Sequence, residues 1–266
     1  MKDRFGRKIT YLRVSVTDRC NLACRYCAPP GGIRLLPRAG ILSFEEIEEV
    51  VREAVGLGVR KVRLTGGEPL VRHGIEDLVR RIAAIEGLED LGLTTNGILL
   101  APKAEALARA GLMRVNVSLD ILDPERYAWI TRGGDLARVL EGIDAAIAAG
   151  LTPVKLNCVV ERSPAEPGAR SVARFAAAKG LQVRFIEKMD AAAGRFSVVR
   201  GGAGGDCPRC DRLRLTADGR IRPCLFSDLA FHVRELGARE ALLRAVREKP
   251  RAGGTCAPGR MQRIGG

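Results

Sequence analysis

Two histidines, one tryptophan and an aromatic content of 4% are what this 266-residue sequence has least of. So few aromatics argue against a protein that reads bases by stacking them on ring platforms. His73 and His232 have no evident partners in sequence and suit surface or capping roles better than catalysis. No run of about 18 uncharged apolar residues occurs, so no membrane span is expected. No apolar stretch follows the charged start Met1-Lys2-Asp3-Arg4, so no secretory signal is expected and a cytoplasmic, thiol-reducing location follows. Acidic side chains are also short, 31 against 44 Lys and Arg, leaving a net charge of +13. An excess of that size asks for an anionic partner: nucleic acid, nucleotide phosphate or an acidic membrane. Residues 200–266 carry 14 basic and 7 acidic side chains, over half of the excess. Hydrophobic and charged residues, at 46% and 28%, are in ordinary globular supply and exclude wholesale disorder.

The first 190 residues alternate short strand-like and longer helix-like segments. Strands are expected at 11–17, 61–65, 91–95, 114–119, 154–160 and 182–188, each rich in β-branched residues or alternating apolar with polar. Helices are expected from a capping box at Ser43-Phe44-Glu45-Glu46 to about Val55, and at 75–85, 103–110, 135–149 and 168–179. Trp129, among helical residues after Asp123-Pro124, reads as a packing anchor. Six β-then-α units imply a parallel sheet with right-handed crossovers. Six is fewer than the eight of a closed barrel, which favours an α/β partial (β/α)6 TIM-like barrel over a doubly wound sheet, with the site at the strands' C-terminal ends. Beyond residue 190 the pattern changes. Residues 191–206 form a Gly-rich linker, and residues 207–266 a C-terminal extension. This extension holds a hairpin about Ala217-Asp218-Gly219, a helix near 236–248 and a Gly-, Pro- and Arg-containing tail.

Eight cysteines in a protein that keeps them reduced are more plausibly ligands or catalysts than disulfides. Cys20, Cys24 and Cys27 form a C-x3-C-x2-C triplet on the loop after the first strand. Three thiolates suit a four-iron cluster with one open iron better than structural zinc, which takes four ligands, but zinc and unligated thiols remain open. Cys207, Cys210 and Cys224 form a second set, C-x2-C-x13-C, folded back by the hairpin. A zinc ribbon short of one ligand is its alternative, with Cys256 a candidate fourth. Cys158, inside a strand, reads as a small buried hydrophobe.

The first triplet, with Tyr26 just before its third cysteine, resembles the signature of the radical S-adenosylmethionine (SAM) enzymes. Gly66-Gly67-Glu68-Pro69 after the second strand resembles that family's SAM-binding motif, and Asn116-Val117-Ser118-Leu119-Asp120 ends the fourth strand where SAM would lie. The stretches 12–21, 62–69 and 93–97, the run from Cys210 to Gly219, Pro223-Cys224-Leu225-Phe226 and the terminal Gly265-Gly266 closely resemble one branch of it. That branch is the GTP 3′,8-cyclase family of molybdenum cofactor biosynthesis.

The resemblance implies two [4Fe-4S] clusters with SAM, one on Cys20, Cys24 and Cys27, the other on Cys207, Cys210 and Cys224. It implies SAM contacts at Tyr26, Gly67, Glu68, Ser118 and Met189, and GTP contacts at Arg13, Arg63, Thr94, Lys155, Arg212 and Arg214. Gly265 and Gly266 would reach into the active site as catalytic elements. A reducing electron donor, a downstream cyclic pyranopterin monophosphate synthase and a homodimer belong to the same implication; a membrane or nucleic acid does not. Arg212 and Arg214 alternate on one strand face, so both can meet one anion.

Two departures stand out. Only residues 190–206 separate Met189 from Cys207, where the family carries a much longer segment, leaving the lower wall of the substrate pocket and the substrate open. Asp211 stands where the family more often has Asn. Two alternatives remain: a radical SAM enzyme with an auxiliary cluster acting on a peptide or another nucleotide, and a metal-stabilised nucleic-acid-binding protein.

Overall fold

The computed structural model describes residues 1–28, 35–190 and 192–256. The six expected strands form as β1 (Tyr11–Ser15), β2 (Lys61–Thr65), β3 (Asp90–Thr95), β4 (Arg114–Ser118), β5 (Lys155–Val160) and β6 (Gln182–Glu187). Between them lie α1 (Phe44–Gly56), α2 (Ile75–Ala83), α3 (Ala104–Arg109), α4 (Pro124–Thr131), α5 (Leu136–Ala148) and α6 (Pro167–Ala178). The helix starts follow local chemistry. Ser43 and Glu46 close the expected capping box, Ser43 N donating to Glu46 Oε2 at 2.7 Å and Glu46 N to Ser43 Oγ at 3.2 Å. In α2, Ile75, Leu78, Val79 and Ile82 are buried, the i, i+3, i+4, i+7 stripe of a helix lying on a sheet.

Neighbouring strands run in chain order from β6 back to β1, all parallel. Right-handed crossovers along an order that never reverses put the helices on one face, which gives a partial barrel and not a doubly wound sheet. The C-terminal extension continues that sheet. Strand β7 (Arg212–Leu215) pairs parallel with β1, and β8 (Arg220–Arg222) and β9 (Phe231–His232) follow antiparallel. The Asp-Gly turn falls where expected between β7 and β8. The helix expected near 236–248 is two, α7 (Val233–Leu236) and α8 (Ala238–Arg247), because Gly237 adopts φ +77 and ends the first. His232 caps α7, its Nδ1 accepting from Arg234 N, and His73 is exposed.

One core joins both parts. Leu12, Val14, Ile47 and Leu64 share it with Leu213, Leu215, Ile221, Leu242 and Ala245 of the extension. Cys158 is fully buried in it, as expected. Trp129 corrects its expectation: it is 62% exposed, its ring lying under the Arg25 guanidinium at 4.1 Å instead of in the core. Among the described residues no helix is long and apolar enough to cross a membrane.

Candidate active site

Alternation along each strand sends one set of side chains to the helix layer and the other to the concave face. Leu12, Val14, Val62 and Leu64 go to the core, while Tyr11, Arg13 and Arg63 go to the concave face. Register then sets cations side by side: Arg13 lies opposite Arg63 on β2 and Arg214 on β7, and Tyr11 opposite Arg212. Gly92 of β3 is next in that row and leaves space between Arg63 and Arg114.

At the C-terminal strand ends Cys20, Cys24 and Cys27 line a cavity of about 250 Å3 with Tyr26, Gly67, Thr94, Ser118 and Met189. Two loops make it. Gly67 N donates to Thr17 O and Glu68 N to Arg19 O, both at 2.8 Å, so the loop after β2 clasps the loop carrying the cysteines. A Cβ on Gly67 would stand 2.3 Å from the Arg19 carbonyl oxygen, which is why the motif needs glycine there. The cysteine loop also leans on α4, Arg25 N donating to Ile130 O at 2.9 Å and Arg25 Nε to Trp129 O at 2.8 Å.

Burial raises all three thiols, Cys24 to about 12 and Cys27 to about 11; neighbouring thiols and Asp120 add to it at those two, and Glu68 at Cys20. A cationic centre is what would hold such groups as thiolates. Among the described residues no three His, Cys, Asp or Glu side chains converge as the ligands of a single ion would. Three thiols ringing a cavity, all sulfur and one short of a closed zinc set, suit a four-iron cluster.

Glu68 turns away from this cavity. It is 1% exposed, and its carboxylate accepts from Leu70 N, Thr95 Oγ1 and Asn96 N at 3.0, 2.8 and 2.7 Å. Burial raises its pKa to about 7 despite those three donors. It ties the tip of β2 to the tip of β3. Asn96, held in turn, donates to Asn21 Oδ1 at 2.8 Å beside Cys20.

Ile186 and Met189 are shared with a second cavity of about 160 Å3, lined by Cys207, Cys210, Cys224, Arg13, Arg212 and Arg214. Burial raises the Cys224 thiol, which Lys249 and Arg214 pull back towards ionisation. Cys256 is not in this lining; its thiol donates to Leu225 O. Part of the short segment itself, residues 196–206, lines this cavity. Phe185 and Arg200 exchange backbone hydrogen bonds that clip it to β6, and Phe196 stacks on Phe226 with ring centroids 4.2 Å apart. Phe196, Ser197, Val199, Gly204 and Gly205 then face the thiols.

Beneath lies a cationic floor, at whose edge Arg114 pairs with Asp90. Arg63 is 2% exposed and donates to the Tyr11 hydroxyl at 2.6 Å. Burial pushes that hydroxyl up, yet Arg13, Arg63 and Arg212 outweigh it and leave its pKa below the usual 10. Burial, then Arg13 and Arg212, lower Arg214 to about 9. Lys155 is lowered by burial and then by Arg184, Arg114 and Arg63. Arg63 Nη1, Arg184 Nε, Thr94 Oγ1 and Asn116 Oδ1 are buried with no hydrogen-bond partner among the described residues. Orphaned polar groups of this kind cost about 1–3 kcal/mol each, and an oxygen-rich anion would satisfy the three donors among them, Arg63 Nη1, Arg184 Nε and Thr94 Oγ1.

Of the expected site residues, Tyr26, Gly67, Thr94, Ser118, Met189, Arg13, Arg212, Arg214 and the six cysteines line the two cavities. Arg63 and Lys155 lie in the floor. Gly265 and Gly266 lie outside the described residues. Sequence reasoning missed Tyr11 and Arg184, and read Asp120 only as the end of the fourth-strand motif. The i, i+2 pattern of Tyr11 and Arg13 was the available signal for the first. Asp120 accepts from the Tyr26 hydroxyl and from Val159 N, both at 2.8 Å.

The Radical SAM superfamily model matches residues 14–162. The GTP 3′,8-cyclase of Pelotomaculum thermopropionicum is 46% identical over 305 aligned positions, 94% of each chain. That of Moorella thermoacetica is 45% identical over 92% of this chain and 91% of its own. This chain belongs to the radical SAM superfamily, in its GTP 3′,8-cyclase family. Because 305 aligned positions exceed its 266 residues, the Pelotomaculum relative carries residues this family member lacks. Two solved structures share the radical SAM fold. Native anSMEcpe with bound AdoMet superposes with a TM-score of 0.63 at 16% identity over 91% of this chain and 81% of its own. Streptococcus suis SuiB bound to S-adenosylmethionine gives 0.63 at 14% over 91% of this chain, which spans 64% of SuiB's length.

Proposed function

We propose that this chain binds SAM and GTP in its two adjoining cavities and converts GTP to 3′,8-cyclo-7,8-dihydro-GTP, opening molybdenum cofactor biosynthesis. The observation that carries this reading is the pair of three-thiol cavities meeting at Ile186 and Met189 over a buried cationic floor. Cys20, Cys24 and Cys27 would hold one [4Fe-4S] cluster, and Cys207, Cys210 and Cys224 the other. When bound, the first cluster and SAM would supply a 5′-deoxyadenosyl radical able to take hydrogen from the ribose C3′, after which C3′ bonds to purine C8. The chain's own work is binding and placement. Gly67 and Ser118 would receive SAM at the strand tips, with Met189 on the boundary with the substrate. Glu68 would act from behind by holding two of those tips together. Arg13, Arg212 and Arg214 would grip the triphosphate in oriented, charge-assisted bonds, with Arg63 and Lys155 supporting from the floor.

Nucleic acid is disfavoured because these cations are sunk in the concave face, where a polymer backbone does not reach. Turnover would call on a one-electron donor and deliver product to the cyclic pyranopterin monophosphate synthase, in a cytoplasmic homodimer.

The test is anaerobic. Reconstituted protein should hold about eight irons and, given dithionite, SAM and GTP, yield 5′-deoxyadenosine with a cyclised GTP product. SAM cleavage without any GTP-derived product would remove GTP as the substrate. Arg212→Ala should weaken GTP binding roughly 10- to 100-fold, the loss of one hydrogen-bonded charge, while substrate-free SAM cleavage persists. Unchanged GTP affinity would remove Arg212 from the triphosphate site.

A further inference from the structure

Lys249 is the largest fully buried side chain among the described residues, at 1% exposure. It follows α8, and its Nζ donates to the carbonyl oxygens of Arg212 at 2.7 Å and Pro223 at 2.5 Å. Those carbonyls belong to the strand after Cys210 and to the residue before Cys224. Among the described residues Lys249 forms no ion pair. An ammonium buried against carbonyl dipoles alone is costly, and an anion nearby offsets that cost.

Arg7 offers the contrast. It donates to Cys207 O at 2.8 Å and Pro250 O at 2.6 Å, tying the chain just after Lys249 to the same thiol set. Its charge is already matched, because its Nε donates to Asp3 Oδ2 at 2.6 Å. Lys249 has such ties without the counter-charge. It is also absent from the cavity lining, so it stands behind the thiols, where a substrate does not reach.

We propose that Lys249 is a positioning residue of the second thiol set, holding the backbone on both sides of the hairpin and lending one uncompensated positive charge to an anionic cluster there. This rests on the reading that Cys207, Cys210 and Cys224 carry a cluster. A four-iron cluster on three thiolates is an anion that becomes more negative on reduction, so a fixed cation behind it favours the reduced form.

The test uses the full chain with Cys20, Cys24 and Cys27 changed to Ala, reconstituted with iron and sulfide so that the second cluster is observed alone. Its midpoint potential is followed by electron paramagnetic resonance during a dithionite titration. Lys249→Met should retain about four irons and shift the midpoint to more negative potential. An unchanged midpoint in an iron-loaded Lys249→Met protein overturns the proposal. If Lys249→Met does not take up iron, Lys249→Gln keeps a donor for the carbonyls without the charge. A lowered midpoint in that variant supports the proposal and an unchanged one overturns it. A three-Ala parent that takes up no iron at all denies the second cluster itself, which is a different failure.

Discussion

Glu68 shows how one side chain can serve a site it does not enter. The spacing of Gly-Gly-Glu-Pro puts it at the rim, but its three donors and burial make it a brace between the tips of β2 and β3. Its pKa sets a sign for pH dependence. The folded chain holds a proton on Glu68 up to about 7 while the unfolded chain releases it near the ordinary 4.5. Between those values the native state binds more protons, so stability falls as pH rises. The penalty is absent below about 4.5 and complete above about 7, reaching about 3 kcal/mol. Urea denaturation of the metal-free chain should show this decline, and Glu68→Gln should flatten it relative to the parent. Parallel pH profiles in the two proteins would show that Glu68 does not titrate there. The six cysteines were legible because ligand spacing is a property of the local chain. The Tyr11–Arg63 bond was not, because it depends on which strands pair and in what register.

Short segments decide as much as side chains do. Residues 192–206 look like a plain Gly-rich linker, yet they build a cavity wall, and the glycines are what let them turn. Gly205 sits at φ +79, and a Cβ there would lie 2.1 Å from the Ser197 carbonyl oxygen. Gly205→Ala should therefore cost about 2–3 kcal/mol and weaken GTP binding. Gly150→Ala, with φ +75 but nothing within 4 Å, should cost only the backbone strain of about 1 kcal/mol. Equal melting shifts for the two would mean that the segment does not hold Gly205 against Ser197. Strands and most helices were readable from periodicity, their ends within a few residues. The break at Gly237 was not, since a glycine inside an amphipathic pattern declares itself only through its φ.

At the scale of the molecule, the extension is part of the barrel. Strand β7 covers the edge of β1 over Tyr11 to Val14, and the buried stripe Ala238, Ala241, Leu242, Ala245, Val246 brings α8 against α1. A chain ending at residue 206 would bare a strand edge and an apolar stripe together. It should lose its single cooperative unfolding transition and bind a hydrophobic dye. A soluble 1–206 chain with a sharp transition would show two independent units. The order of β and α, the two cysteine triplets and the Gly-Gly-Glu-Pro turn follow from neighbours along the chain, where periodicity and spacing act, and they were enough to name the chemistry. The cationic floor, the wall made by a short segment and the buried Lys249 follow from contacts such as Arg7 with Cys207, 200 positions apart. Burial and cross-strand register are set only when the sheet closes around them, so no stretch of sequence carries them alone.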